Sequence, residues 1–376
     1  MSGLGRLVRR LFGGEVQAVV PLQPNAPVPA PMAGLACASA SPQTPAAAAI
    51  PTFAPANPQT PLTPGELRFL AGFKTSANAA HYHEQSDFWS SVTGQTPTQL
   101  LSELRHQGLI EAADPAGRLV AVYSSPQLSD LCKARNLGVS GTKAQKAKRL
   151  MKADPNGMER LVGNLEIYSC TEEGRRLVEA DELRRQQEKQ EAEEAAAIAF
   201  RSGQFRRAAR LVDSYEAKQP IPRGMGIRWG QRETTREEHI LTLIAESRPG
   251  ILAGLTDGQL NELRLPAAMM FLWGTSQAGR WRPGDREGTY GRLDADTAAR
   301  MLVFYAQTKY ELSQLADLSR GGLKYQVEVS CASDACPTCM RFVGKRYSLA
   351  RAPELPHPRC THEMGCRCMY ISVRQD

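Results

Sequence analysis

A chain of 376 residues with 46 basic and 39 acidic side chains carries a net charge of +7, which exceeds one ordinary domain and favours a polyanionic partner. No apolar run approaches the ~18 residues of a membrane span, so the sequence reads as soluble with no membrane partner. Nine cysteines fit a cytoplasmic protein if most of them bind metal.

In chain order, residues 1–14 place Leu4, Leu7, Val8, Leu11 and Phe12 against Arg6, Arg9 and Arg10, a short basic amphipathic helix rather than a secretory signal. Residues 21–64 are rich in Pro and Ala and lack an apolar period, so residues 1–62 are expected to form a disordered tether. Order is expected from Thr63, where T-P-G-E supplies an N-cap and a proline at the first helical position. Residues 96–124 predict a helix ending at Gly108, then two short strands about a turn at Asp114 to Gly117. Residues 165–178, LEIYSCTEEGRRLV, predict a strand and a helix. This order of helix, G-L-I-E, hairpin and Y-S-x-T-x-x-G resembles the winged-helix regulators of bacteria. The resemblance implies DNA contact near Gln99, Arg105 and His106; a small α+β core without DNA contacts satisfies the same outline.

Residues 128–150, LSDLCKARNLGVSGTKAQKAKRL, predict a helix, a glycine turn and a basic second helix. Leu128, Leu131 and Cys132 make one apolar stripe, Leu137 and Val139 cover the turn, and Leu150 and Met151 close the second helix. From Ser124 to Asp154, Lys133, Arg135, Lys143, Lys146, Lys148, Arg149 and Lys152 stand against Asp130 and Asp154, a net charge of +5 that suits a phosphate backbone. The stretch L-x-x-L, N-L-G-V-S-G-T-K-A, R-L resembles the SAP motif, a two-helix DNA-binding module. That resemblance implies backbone contacts from Thr142, Lys143, Lys146 and Arg149, with Lys148, Lys133 and Arg135 as further candidates. Lys146 departs from the family, which usually has an apolar residue there. A charged hairpin whose lysines are only solvated gives the same pattern.

Residues 179–194 are charged on every face, and a connecting helix is expected over 181–199. Beyond it, AFRSGQFRRAARLVDSYE places Phe200, Phe205, Ala208, Ala209, Val212 and Tyr215 on one face, and residues 200–324 read as a helical domain of unassigned role. Its loop from Gly279 to Gly291, with Arg280, Trp281, Arg282, Arg286 and nearby Arg292, either stacks on nucleic acid or is a linker anchored by its tryptophan.

Residues 325–376 hold six of the nine cysteines and are expected to form a small metal-stapled module. Cys336-Pro-Thr-Cys339 supplies one corner of a tetrahedral zinc site. Cys360 and Cys368 are expected to close it, with Cys366 and His357 as substitutes and Cys331 and His362 nearby. An iron–sulfur cluster can use four of the same thiols, and disulfides would need an oxidising compartment. The order C-x-x-C, G-K-x-Y-x-L, A-P-x-L-P-H-P-x-C and C-R-C resembles the carboxyl-terminal segment of phage head-morphogenesis proteins, from which this chain departs by T-H-E-M-G between Cys360 and Cys366. It implies a small zinc-stapled, β-rich module more than a role in capsid assembly; on the assembly reading the tail docks onto a protein partner.

None of the phosphate-binding, nucleophile-elbow or H-E-x-x-H motifs occurs. His81 and His83 read as incidental, and Ala335 before Cys336 breaks the deaminase pattern P-C-x-x-C. The sequence therefore predicts a non-enzymatic, multidomain, mainly α protein with small α+β parts: tether 1–62, winged-helix-like region 63–180 with the SAP-like motif at 124–154, connecting helix 181–199, helical domain 200–324 and zinc module 325–376. The expected function is DNA-backbone binding as a cytoplasmic, nucleoid-associated accessory factor in repair, recombination or transcription. The alternative is a phage-derived assembly protein with a zinc-stapled interaction tail.

Overall fold

The computed structural model describes residues 61–224, 227–282 and 290–375. The chain is mainly helical, with two small antiparallel sheets. The amphipathic stretch, the tether up to residue 60, Cys37 and Arg286 lie outside the described residues.

Helix α1 (Pro64–Ala71) starts as its sequence dictates: the Thr63 hydroxyl accepts the N–H of Glu66 while the Glu66 carboxylate accepts the N–H of Thr63, a capping box that satisfies two otherwise orphan donors. Then come β1 (Ala77–Asn78), α2 (Ala79–His83), α3 (Ser86–Thr93), α4 (Pro97–His106) and β2 (Ile110–Ala112). After an insertion of four helices the chain returns as β3 (Ile167–Cys170), which pairs with both earlier strands in the order β1-β3-β2. Phe69, Phe73, Leu100, Leu104, Leu109 and Val178 are buried beneath this sheet, and the rings of Phe73 and Tyr82 stack 4.7 Å apart.

The expected hairpin about Asp114 to Gly117 does not form. In its place α5 (Pro115–Val122) begins there, with the Asp114 carboxylate accepting the N–H of Gly117 at 2.5 Å. Asp-Pro-x-Gly is here a helix start, since Asp caps the free amides and Pro has its φ preset for the first turn. The same tetrapeptide recurs at Asp154-Pro-Asn-Gly157 and starts α8 (Pro155–Val162) in the same way. Between them lie α6 (Ser125–Lys133) and α7 (Lys143–Ala153), and the four helices bury a core of their own: Leu119, Leu128, Cys132, Ala147, Leu150, Met158 and Val162. The basic hairpin is thus half of a four-helix insert clamped at both ends by strands of one sheet.

Helix α9 (Glu172–Arg201) extends beyond 181–199 at both ends. Thr171 caps it and also donates to the Gly108 carbonyl at 2.7 Å. This places the backbone of Gly174 so close to Leu109 that a Cβ would lie 2.1 Å from the Leu109 carbonyl oxygen. Gly174→Ala is therefore expected to destabilise this core by about 2 kcal/mol, overpacking against fixed backbone outweighing the helix-propensity gain of ~1 kcal/mol; thermal denaturation checks it.

The two ends of α9 enter different cores. Val178 belongs to the first, whereas Ala196, Ala197, Ala199 and Phe200 belong to a second. The second is built with α10 (Phe205–Ala217), α11 (Thr235–Glu246), α12 (Asp257–Trp273) and α13 (Ala295–Arg320). After α13 come β4 (Lys324–Ser330), the single turn α14 (Pro337–Met340), β5 (Arg346–Ser348) and β6 (Met369–Gln375), in the sheet order β5-β4-β6. Val329 and five of the tail's cysteines are continuous with the core that holds Trp273, Met269, Ala298 and Leu302. The spans 200–324 and 325–376 therefore share one apolar interior.

Candidate metal centre and nucleic-acid interface

Three segments converge to form the cysteine cluster. Cys331 follows β4, while Cys336 and Cys339 sit at the cap and inside α14. Cys360 closes a turn in which its N–H donates to the carbonyl of His357 at 3.0 Å. Cys366 and Cys368 lead into β6, and the Cys366 N–H points at the Met301 sulfur of α13 at 3.2 Å. Cys336, Cys339, Cys360, Cys366 and Cys368 are all buried, and Cys331 is half-buried.

The sulfurs lie in contact. Cys336 and Cys360 are 3.8 Å apart, Cys339 and Cys366 3.9 Å, and Cys331 and Cys368 2.7 Å. Two triads, Cys336, Cys339 and Cys360, and Cys339, Cys366 and Cys368, each keep their sulfurs within 4.8 Å of one another. A tetrahedral ion with metal–sulfur bonds of ~2.3 Å has donor–donor edges of about 3.8 Å. Two of the three pairs already stand at that length, so the clustered cysteines can hold a metal ion. Neither imidazole joins them: His357 Nδ1 accepts the N–H of Arg359, and His362 Nδ1 accepts that of Met364.

The thiols also compete for charge. Burial pushes the Cys339 thiol up to about 12, reinforced by the negative charge of Cys366. Cys360 rises because it hydrogen-bonds to the Cys366 sulfur and is itself buried. Cys368 rises for the same two reasons. Cys366, receiving hydrogen bonds from Cys360 and Cys368, falls to about 2 despite its burial. Burial opposes ionisation of Cys336 too, yet the N–H groups of Thr361 and Cys339 bring it down to about 6. Packed thiolates repel one another, and a bound dication removes that repulsion.

The four expected ligands and the substitute Cys366 are thus brought together, whereas the side chain of His357 is not. Cys331 lies outside both triads, and the pairing of β4 with β6 brings it beside Cys368.

In the basic hairpin the structure separates residues that look alike in sequence. Lys146 is 8% exposed and donates to Ser125 Oγ at 3.0 Å and Ser129 Oγ at 2.8 Å. Its stem fills the site an apolar residue would occupy, and its ammonium ties α7 to α6. Arg149 donates to the carbonyls of Gly138 and Ser140 and closes the turn. Arg135 pairs with Asp154 at 2.8 Å, holding that carboxyl below its usual range, and Lys133 pairs with Asp130 at 3.0 Å. Thr142 caps α7. Among the described residues Lys143, Lys148 and Lys152 make no ion pair; Lys148 and Lys152 are exposed one turn apart, and Lys143 is half-buried in the first turn. Leu137 is half-buried over the turn, but Val139 is exposed.

Apart from His106, which is exposed at the end of α4, the other candidates within the described residues serve the fold. Gln99 completes the capping box of α4, and Arg105 lies over the Tyr168 ring at 5.4 Å. Glu193 binds Arg280 and accepts the Trp281 indole N–H at 3.1 Å, Arg282 pairs with Asp296, and Arg292 donates to the carbonyls of Cys360 and His362. Among the described residues no helix is long and apolar enough to cross a membrane. No family model, curated protein or solved structure matches the chain.

Proposed function

We propose that this protein binds the backbone of duplex DNA through its α6–α7 hairpin, without catalysis, with a structural zinc ion at the cysteine cluster. The observation that carries the DNA reading is the set of three unneutralised lysines, Lys143, Lys148 and Lys152, on one helix. Arg135, Lys146 and Arg149, by contrast, are occupied in building the hairpin that presents them. The sheet order β1-β3-β2 around the insert supports a winged-helix scaffold whose wing has been replaced by a four-helix module. Such a surface reads backbone rather than base edges. The all-sulfur donor set favours zinc over harder ions, and burial in the common core gives it a structural role.

The test is duplex affinity by fluorescence anisotropy across a salt series. Each lysine–phosphate contact adds a slope of about 0.9 in log K against log salt, so three contacts predict a slope near −2.7. No binding at low ionic strength would reject the reading.

A second reading, an assembly protein, is favoured by the outer strand of the tail. β6 is an edge strand whose Met369 and Ile371, two residues apart on one face, are 56% and 47% exposed, as a partner-binding strand would be. Co-assembly with capsid proteins, without affinity for plain duplex, would select it.

A further inference from the structure

We infer that the cysteine cluster holds two metal ions, as two thiolate tetrahedra that share the edge between Cys339 and Cys366. This deepens the metal reading above and rests on it. Three of the sulfur contacts sort the six cysteines into pairs, and Cys366 also meets the sulfurs of Cys360 and Cys368. Cys336 and Cys360, at 3.8 Å, are the terminal donors of one ion, and Cys331 and Cys368, at 2.7 Å, those of the other. Cys339 and Cys366, at 3.9 Å, lie between and bridge. The two triads fall one to each tetrahedron with Cys339 common to both.

A single tetrahedral ion takes four donors, but the two triads comprise five residues, so one ion leaves a buried thiol of the triads and Cys331 without a role. Edge sharing fills eight coordination positions with six sulfurs and leaves none over. The charge is no worse: six thiolates on two dications carry the same net −2 as four thiolates on one. Loading releases the protons of those thiols that are not already ionised and involves no electron transfer. The terminal pair at 2.7 Å is closer than the ~3.8 Å edge of a thiolate tetrahedron, and an ion there would spread it.

The test is zinc per chain in the full-length protein, purified with zinc and dialysed against metal-free buffer, together with cadmium NMR of the exchanged protein. Two ions per chain, and two cadmium resonances coupled to each other through shared sulfur, are expected. One ion per chain, or uncoupled resonances, overturns the shared edge but leaves a single structural ion standing. No bound metal, with no thiolate-to-metal absorption on adding cadmium, overturns both. Cys331→Ser removes a terminal donor of the second ion only and should lower the zinc content from two to one; a Cys331→Ser protein that keeps both ions counts against the assignment, whereas Cys339→Ser should lose both.

Discussion

Chelating the metal is expected to unfold the second core and to leave the first standing. Heating the metal-bound protein should give a transition for residues 196–375 that a strong chelator lowers by tens of degrees, while the transition of the Phe69–Val178 core changes little. The reason is the shared interior. Cys336, Cys339, Cys360, Cys366 and Cys368 pack in the same cluster as Ala197, Ile240, Met269, Trp273 and Leu302, so loss of the ion is felt across α9 to α13. A structural zinc contributes an apparent ~10–16 kcal/mol, comparable to the whole stability of an ordinary domain, ~5–15 kcal/mol. Without it, thiols that repel when ionised and have few partners when protonated replace the centre of that core. Cys339→Ala should match chelation, whereas Cys132→Ala and Cys170→Ala, both buried in the other two cores, should cost only the usual few kcal/mol of a core truncation. Calorimetry with and without chelator decides it: an unchanged transition for residues 196–375 would mean that the cysteines are only packing.

What could be read from the residues alone divides along physical lines. Local signals suffice where local chemistry decides the outcome: the Thr63 cap, the turn between α6 and α7, and the α10 face of Phe205, Ala208 and Val212 arise from short-range periodicity and capping. Asp114-Pro-Ala-Gly117 was misread because Asp-Pro begins turns and helices alike, and the residues downstream of it make the choice. Here Leu119 has a four-helix core to enter, and the helix wins. The outline of the cysteine site was legible through C-x-x-C, but the partnership of Cys331 with Cys368 depends on the register of β4 against β6, a non-local fact that spacing does not carry. Lys146 marks the same limit within the hairpin. It stands where the SAP pattern has an apolar residue, and the structure buries it against Ser125 and Ser129, because a lysine stem is apolar enough to fill the gap and two hydroxyls can satisfy its head.

That difference makes the hairpin's lysines separable by experiment. Replacing Lys143, Lys148 and Lys152 together by alanine should leave the melting of the α5–α8 insert nearly unchanged, since none of the three has an ion-pair partner to lose among the described residues. It should nevertheless flatten the salt dependence of duplex binding. Each phosphate contact contributes a factor of about 3.5 between 50 and 200 mM salt, so removing three shrinks the affinity ratio between those conditions by roughly 40-fold. Lys146→Ala predicts the opposite pattern: the salt slope is kept, because its ammonium already serves Ser125 and Ser129, while the insert loses about 1–3 kcal/mol from a truncated stem and unbonded hydroxyls. Lys146→Met, which keeps the stem, should recover much of that loss. Anisotropy at the two salt concentrations, read beside thermal melts of the same proteins, separates the roles. A Lys146 variant that alone abolished the salt slope would place the phosphate at Lys146 itself and overturn the proposed interface.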